Sequence, residues 1–260
     1  MKRVVFNQKG GVGKTSITCN LAAISAARGL RTLVIDLDVQ GNSTHYLVGE
    51  IDADAFPAEA QGVAGLFKQT VGSRKMRKNP DSFVWETPWE NLFLLPSSPM
   101  LTQLEKELES RYKIYKLRDA LEKLDEEYDR VYIDTPPNFN FYSKSALIAA
   151  DTVLVPFDCD SFARQSLYSL MENIAELQED HNPDLEVEGI VINQFNSQAR
   201  LPGELVAELE EEGYPVCRTY LTTSVKMKES HREHRPLVDM APSHKLTLQF
   251  LELYAELEGE

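Results

Sequence analysis

Lys9-Gly10-Gly11-Val12-Gly13-Lys14-Thr15-Ser16, directly after the apolar run Val4-Val5-Phe6, is the stretch on which the reading of this chain turns. The spacing from the first glycines to Gly13-Lys14-Thr15 is that of a phosphate-binding loop. A short strand candidate precedes it, and Ile17, Leu21 and Ile24 follow at helical spacing. Glycines let the backbone turn with positive φ and wrap successive N–H groups round a phosphate, and the next helix aims its partially positive N-terminus at the same charge. Gly10, Gly11, Val12, Gly13, Lys14, Thr15 and Ser16 are therefore the expected nucleotide-binding set. Lys14 is placed for the β- and γ-phosphates and Thr15 for Mg²⁺. Lys9, an extra lysine at the head of the loop, narrows the expectation further.

Working outward, strand and helix signals alternate from end to end, the pattern of an α/β fold with a mostly parallel twisted sheet flanked by helices on both faces. Strands are expected near Arg3 to Asn7, Arg31 to Asp36, Asn91 to Leu95, Val131 to Asp134, Thr152 to Phe157, Gly189 to Asn193 and Val216 to Tyr220. Helices are expected near Lys14 to Arg28, Ser161 to Leu177, Leu201 to Glu212 and Ser243 to Leu257. The long amphipathic segment Met100 to Leu124 is read as helical, in one or two pieces. Between Gly49 and Glu90 the pattern loosens, with Pro57, Pro80, Pro88 and the basic cluster Arg74-Lys75-Met76-Arg77-Lys78. It is read as an insertion with a short helix near Val63 to Gln69, inside one domain spanning 1–260.

The composition sets bounds. A chain of 260 residues buries a substantial core. No run approaches the roughly 20 apolar residues needed to cross a bilayer, and the N-terminus enters a strand and the loop without a signal-like segment, so a cytoplasmic protein is expected. Three cysteines, Cys19, Cys159 and Cys217, lack metal or disulfide spacing. A formal net charge of −14 disfavours wholesale attraction to nucleic acid, so any DNA contact must come from a local basic patch.

Open parallel sheets bind ligands beyond the carboxyl ends of their strands, which singles out acids placed there. Asp134 ends Val131-Tyr132-Ile133 and is suited to a Mg²⁺ water shell. Asp36 and Asp38 end the second strand and lead into Val39-Gln40-Gly41-Asn42-Ser43-Thr44, a turn-prone stretch suited to sensing a nucleotide. Thr15, Asp36 and Asp134 make up the expected metal set.

Together Lys9 to Thr15, Asp36 to Thr44 and Ile133-Asp134-Thr135-Pro136-Pro137 closely resemble the deviant Walker A ATPases of the ParA and MinD group. Asn7-Gln8 and Gln40-Gly41-Asn42 point to the ParA side, and the resemblance extends over nearly the whole chain. It implies an ATPase of slow intrinsic turnover, with Mg²⁺ as cofactor, that forms an ATP-dependent homodimer. Lys9 then crosses to the partner's phosphates, Lys14 binds its own nucleotide, Asp38 positions the attacking water and Asn193 contacts adenine. It also implies non-specific DNA binding by the ATP dimer through Arg200, Lys226, Lys228, Arg232 and Arg235, with a solvated basic face as the competing reading of that cluster. Nucleoid association when ATP-bound, partitioning of plasmid or chromosomal DNA, and a ParB-like stimulating partner follow from the same resemblance. A cargo adaptor in place of ParB, for a chemotaxis array or microcompartment, is the alternative.

The chain departs from the family pattern at Val39, where many relatives have proline, and at Leu221 to Ser224, which replaces an Ile-Pro-Arg-Asn-like stretch. With a strand expected from residue 3, no N-terminal helix-turn-helix extension is expected. A MinD-like membrane role needs a basic amphipathic C-terminus, whereas this one ends in Glu256-Leu257-Glu258-Gly259-Glu260. The cysteines offer no convincing pair for a shared iron–sulfur cluster.

Overall fold

The computed structural model describes residues 1–49, 62–71, 77–159, 163–195 and 200–260. A seven-stranded sheet runs through it: β1 (Lys2–Val5), β2 (Thr32–Asp36), β3 (Trp85–Glu86), β4 (Leu92–Leu95), β5 (Arg130–Asp134), β6 (Thr152–Asp158) and β7 (Glu186–Asn193). Their order is β3-β4-β2-β5-β1-β6-β7, parallel throughout except for the two-residue edge strand β3, which is antiparallel to β4.

Alternation along the buried strands feeds two cores. Val4, Leu33, Ile35, Val131 and Ile133 enter one, while Val5, Val34 and Tyr132 enter the other. The second face is covered by α1 (Lys14–Ala27), α2 (Asn42–Val48), α10 (Leu237–Met240) and α11 (Lys245–Glu258). The first face packs against α3 (Gly62–Val71), α4 (Leu101–Ser110), α5 (Lys116–Leu121), α6 (Phe141–Ala149), α7 (Ala163–His181) and α8 (Arg200–Glu211). The short helix α9 (Val225–Arg232) follows β7 and α8 and packs on α10.

From β1 the chain crosses by α1 toward one edge of the sheet. From β5 it crosses by α6 and α7 toward the other edge, on the opposite face. The centre of the sheet is thus a point where the winding reverses, and a crevice opens there beyond the strand ends. Register places Val5 beside Asp134 and Asp134 beside Asp36, so the loop and both acids emerge at one level.

Three expectations change. The described part of the Gly49 to Glu90 segment is built into the core, with Val63, Phe67 and Phe83 buried, and α3 falls where a helix was expected. Arg74, Lys75 and Met76 lie outside the described residues. Val216 to Tyr220 is no strand: this stretch pairs with β7 and the residues just after it through isolated bridges, Ile190 with Val216 and Phe195 with Thr222. Cys217 Sγ crowds Gly189 there, 2.5 Å from where a Cβ would stand, so the segment follows β7 closely without joining the ladder. Helices α2, α6 and α9 emerge from stretches with no marked helical pattern. Helix α6 starts from a capping box in which Asn140 accepts from the Ser143 N–H and the Ser143 hydroxyl answers the Asn140 N–H.

Candidate nucleotide site

The loop is shaped from outside itself. Buried Asn7 donates to the Pro156 carbonyl at 2.7 Å and accepts the Lys9 N–H at 2.9 Å, fixing where the loop leaves β1. At its far side Asn193 Nδ2 donates to the Val12 carbonyl at 2.8 Å, and Gln194 Nε2 to the Gly11 carbonyl at 2.9 Å. Those carbonyls are turned toward the end of β7. Gly13 must be glycine twice over: its φ is 95°, and a Cβ there would lie 2.1 Å from Asn193 Nδ2. Helix α1 begins at Lys14, so its first N–H groups, which have no intrahelical acceptor, face an open cleft of about 470 Å³. Gly10, Gly11, Gly13, Lys14, Thr15, Ser16, Asp38, Gln40, Asn42, His45, Pro137 and His231 line it.

The buried Lys14 ammonium donates to the Lys9 carbonyl at 2.9 Å. Desolvation holds its pKa below the usual lysine value, against the pull of Asp134 and Asp38. A polyphosphate entering the cleft restores favourable charge to that ammonium.

The two strand-end acids are neighbours with different surroundings. Both are fully buried, and burial pushes both carboxyls upward. Asp36 spends its oxygens on the chain: Oδ2 accepts from the Thr44 N–H and hydroxyl at 2.8 and 2.7 Å, and Oδ1 from the Asp38 N–H at 3.1 Å. Through these bonds it anchors the Asp38 loop to the start of α2. Asp134 Oδ2 accepts from the hydroxyls of Thr15 and Ser43, each at 2.7 Å. Its Oδ1 is buried without a partner. An orphaned carboxylate oxygen beside a hydroxyl, at the foot of a phosphate loop, is a hard oxygen donor set that fits Mg²⁺. Asp38, 8% exposed, lines the cleft and accepts the Gln40 N–H at 3.0 Å.

Lys9 stands at the lip of the cleft. Its ammonium contacts both carboxylate oxygens of Asp158, at 2.8 and 2.7 Å, where β6 ends. Lys226, Lys228 and Arg232 share helix α9, with Arg235 just beyond it. Lys226 pairs with Glu229 at 2.5 Å and Arg235 with Asp239 at 2.9 Å; Lys228 and Arg232 are exposed on one face, four residues apart, with Arg232 loosely beside Glu233 at 3.8 Å. Arg200 opens α8, a separate element.

Several working residues carried no readable signal. Ser43 supplies the second hydroxyl on Asp134. Ser97, just past β4, donates its hydroxyl to the Asp38 carbonyl at 2.5 Å and its N–H to Thr44 Oγ1 at 2.9 Å. His231 places Nε2 2.9 Å from Ser16 Oγ.

A family model described as "AAA domain" matches residues 2–187. The chain is 32% identical over 239 residues to the chromosome partitioning protein ParA of Myxococcus xanthus, covering 90% of this chain and 79% of that one. It belongs to the ParA/MinD-type family of deviant Walker A P-loop ATPases. Among solved structures of the same fold, Cyanothece McdA in an ATP complex superposes with a TM-score of 0.84 at 23% identity, covering 99% of this chain and 96% of the other. Cobyrinic acid a,c-diamide synthase from Mycobacterium smegmatis, with ADP and magnesium bound, gives 0.75 at 29% identity over 89% and 91%. Among the described residues no helix is long and apolar enough to cross a membrane.

Proposed function

We propose that this protein is a ParA-type partition ATPase: it binds Mg·ATP, dimerises face to face through Lys9, binds DNA without sequence preference as the dimer, and lets go after hydrolysis. The observation that carries the reading is that the nucleotide cleft and the exposed basic helix share a wall. His231 of α9 lines the cleft, while Lys228 and Arg232 of the same helix lie open to solvent. The similarity to a chromosome partitioning protein supports DNA as the cargo.

Within the cleft the residues divide the work. The loop N–H groups and Lys14 hold the phosphates, and Asn193, held against the loop backbone, contacts adenine. Thr15 and Asp134 hold the Mg²⁺, which supplies charge neutralisation on the phosphate oxygens. Asp38 orients the attacking water and takes up its proton. Lys9 leaves Asp158 and reaches the partner's phosphates, adding positive charge where it develops, as an arginine finger does. The acidic surface suits a ParB-like partner with a basic segment that stimulates slow turnover, and the DNA-bound dimer is associated with the nucleoid.

Electrophoretic shift of a non-specific duplex without nucleotide, with ADP and with ATP tests the reading. Retardation with ATP alone is expected. No retardation in any state would refute the DNA role and leave a protein cargo adaptor as the partner.

A further inference from the structure

Helix α2, which leaves the Asp38 loop, grips helix α9 and the turn just after it with two consecutive residues. The Tyr46 ring stacks on His231, with centroids 4.1 Å apart and planes 10° from parallel. Its hydroxyl lies 2.5 Å from Ser230 Oγ and accepts from Asn20 Nδ2 at 3.2 Å. His45 meets His234 edge to face at 4.5 Å, and its carbonyl oxygen is 2.8 Å from His234 Nδ1.

The same junction is tied to the loop. Asn20, on α1, donates to the Ser16 carbonyl at 2.8 Å and accepts the Leu237 N–H at 2.9 Å, while His231 contacts the Ser16 hydroxyl. Ser230 also donates to the Arg235 carbonyl at 2.5 Å. Asn20, Tyr46 and Ser230 are all at most 1% exposed, so a hydrogen bond broken there is not readily exchanged for one to solvent. Packed polar junctions of this kind shift between discrete arrangements rather than deforming smoothly.

We propose that Tyr46 is a positioning residue that transmits the state of the Ser16 and Asp38 loops to α9. Each protomer then presents Lys226, Lys228 and Arg232 for DNA according to its own nucleotide, before dimerisation adds a second copy of that face. This rests on the DNA-binding reading above for its consequence, and on the junction alone for its mechanism. A passive support would lose stability when altered; a transmitting one loses the link between ATP and α9.

The test compares wild type with Tyr46→Leu, which removes stack and hydroxyl, and Tyr46→Phe, which keeps the stack. ATP affinity and the ATP-dependent dimer should stay within about twofold of wild type. DNA affinity of the ATP-loaded protein should fall about tenfold in Tyr46→Leu and about threefold in Tyr46→Phe. Hydrogen exchange at residues 226–232 should slow on adding ATP to wild type and not in Tyr46→Leu. A folded Tyr46→Leu protein with wild-type DNA affinity and wild-type ATP protection of α9 would overturn the proposal. Should Tyr46→Leu fail to fold, unchanged behaviour of Tyr46→Phe would do the same. If wild type ignores DNA altogether, the DNA reading falls while the exchange comparison still decides: protection lost in the variant supports the junction, and protection that is equal in both or absent from wild type refutes it.

Discussion

The loop Lys9–Ser16 and the helix α9 each concentrate positive charge in one short segment, yet only the loop is a finished site. Its lysines are placed by built contacts: Lys14 donates to a backbone carbonyl inside the cleft, and Lys9 is docked on Asp158. Asn7, Asn193 and Gln194 fix the backbone that carries them. On α9, Lys228 and Arg232 stand in solvent and Lys226 leans on Glu229. A phosphate loop can hold its anion with contacts already formed inside one protomer, whereas a few exposed cations on an acidic protein gain useful affinity only when multiplied. On the proposed reading, dimerisation then amplifies the DNA affinity that one copy of α9 offers.

Substitutions in the two regions should therefore fail differently. Asp38→Ala should lower turnover by about 10²–10⁴-fold while the ATP-bound dimer accumulates, as measured by phosphate release and light scattering. Undiminished hydrolysis would remove Asp38 from the site. On α9, Lys228→Ala and Arg232→Ala should leave turnover without DNA or partner close to wild type. Each should flatten the dependence of log DNA affinity on log salt by about 1 for every phosphate it no longer neutralises. An unchanged slope would break the comparison by making α9 a bystander.

The smallest effect lies where the regions meet. Burial, helped by His234 and His45, keeps the His231 imidazole below its ordinary pKa. The unfolded chain then takes up the proton first as pH falls, so this stability is present above about 6.5 and is lost as pH drops through the folded value. Without nucleotide, the wild-type Tm should decline more steeply below pH 6.5 than that of His231→Gln, by about 2 °C at pH 5.5. Parallel declines would mean the ring titrates alike in both states.

The nucleotide site was legible because its signals are local. The glycine spacing lies within eight consecutive residues, and Asp36 and Asp134 close unbroken apolar runs. What stayed hidden depends on partners distant in sequence. Asp36 and Asp134 look equivalent along the chain, and only Thr44 on one side and Thr15 with Ser43 on the other separate a fully bonded carboxylate from one with an unpartnered oxygen. Helix α9 has no apolar stripe because its buried side is held by Ser230, His231 and Met227 against α1 and α2. The Gly49 to Glu90 segment reads from its prolines as an insertion with a short helix, and only the packing shows that Val63, Phe67 and Phe83 enter the core.

Sedimentation of Lys9→Ala with and without ATP tests the central claim most directly. The account predicts that this variant binds ATP with affinity near wild type, stays monomeric under conditions where wild type dimerises, and loses turnover about 10³-fold or more. A Lys9→Ala protein that dimerises with ATP and hydrolyses it at the wild-type rate would contradict the account.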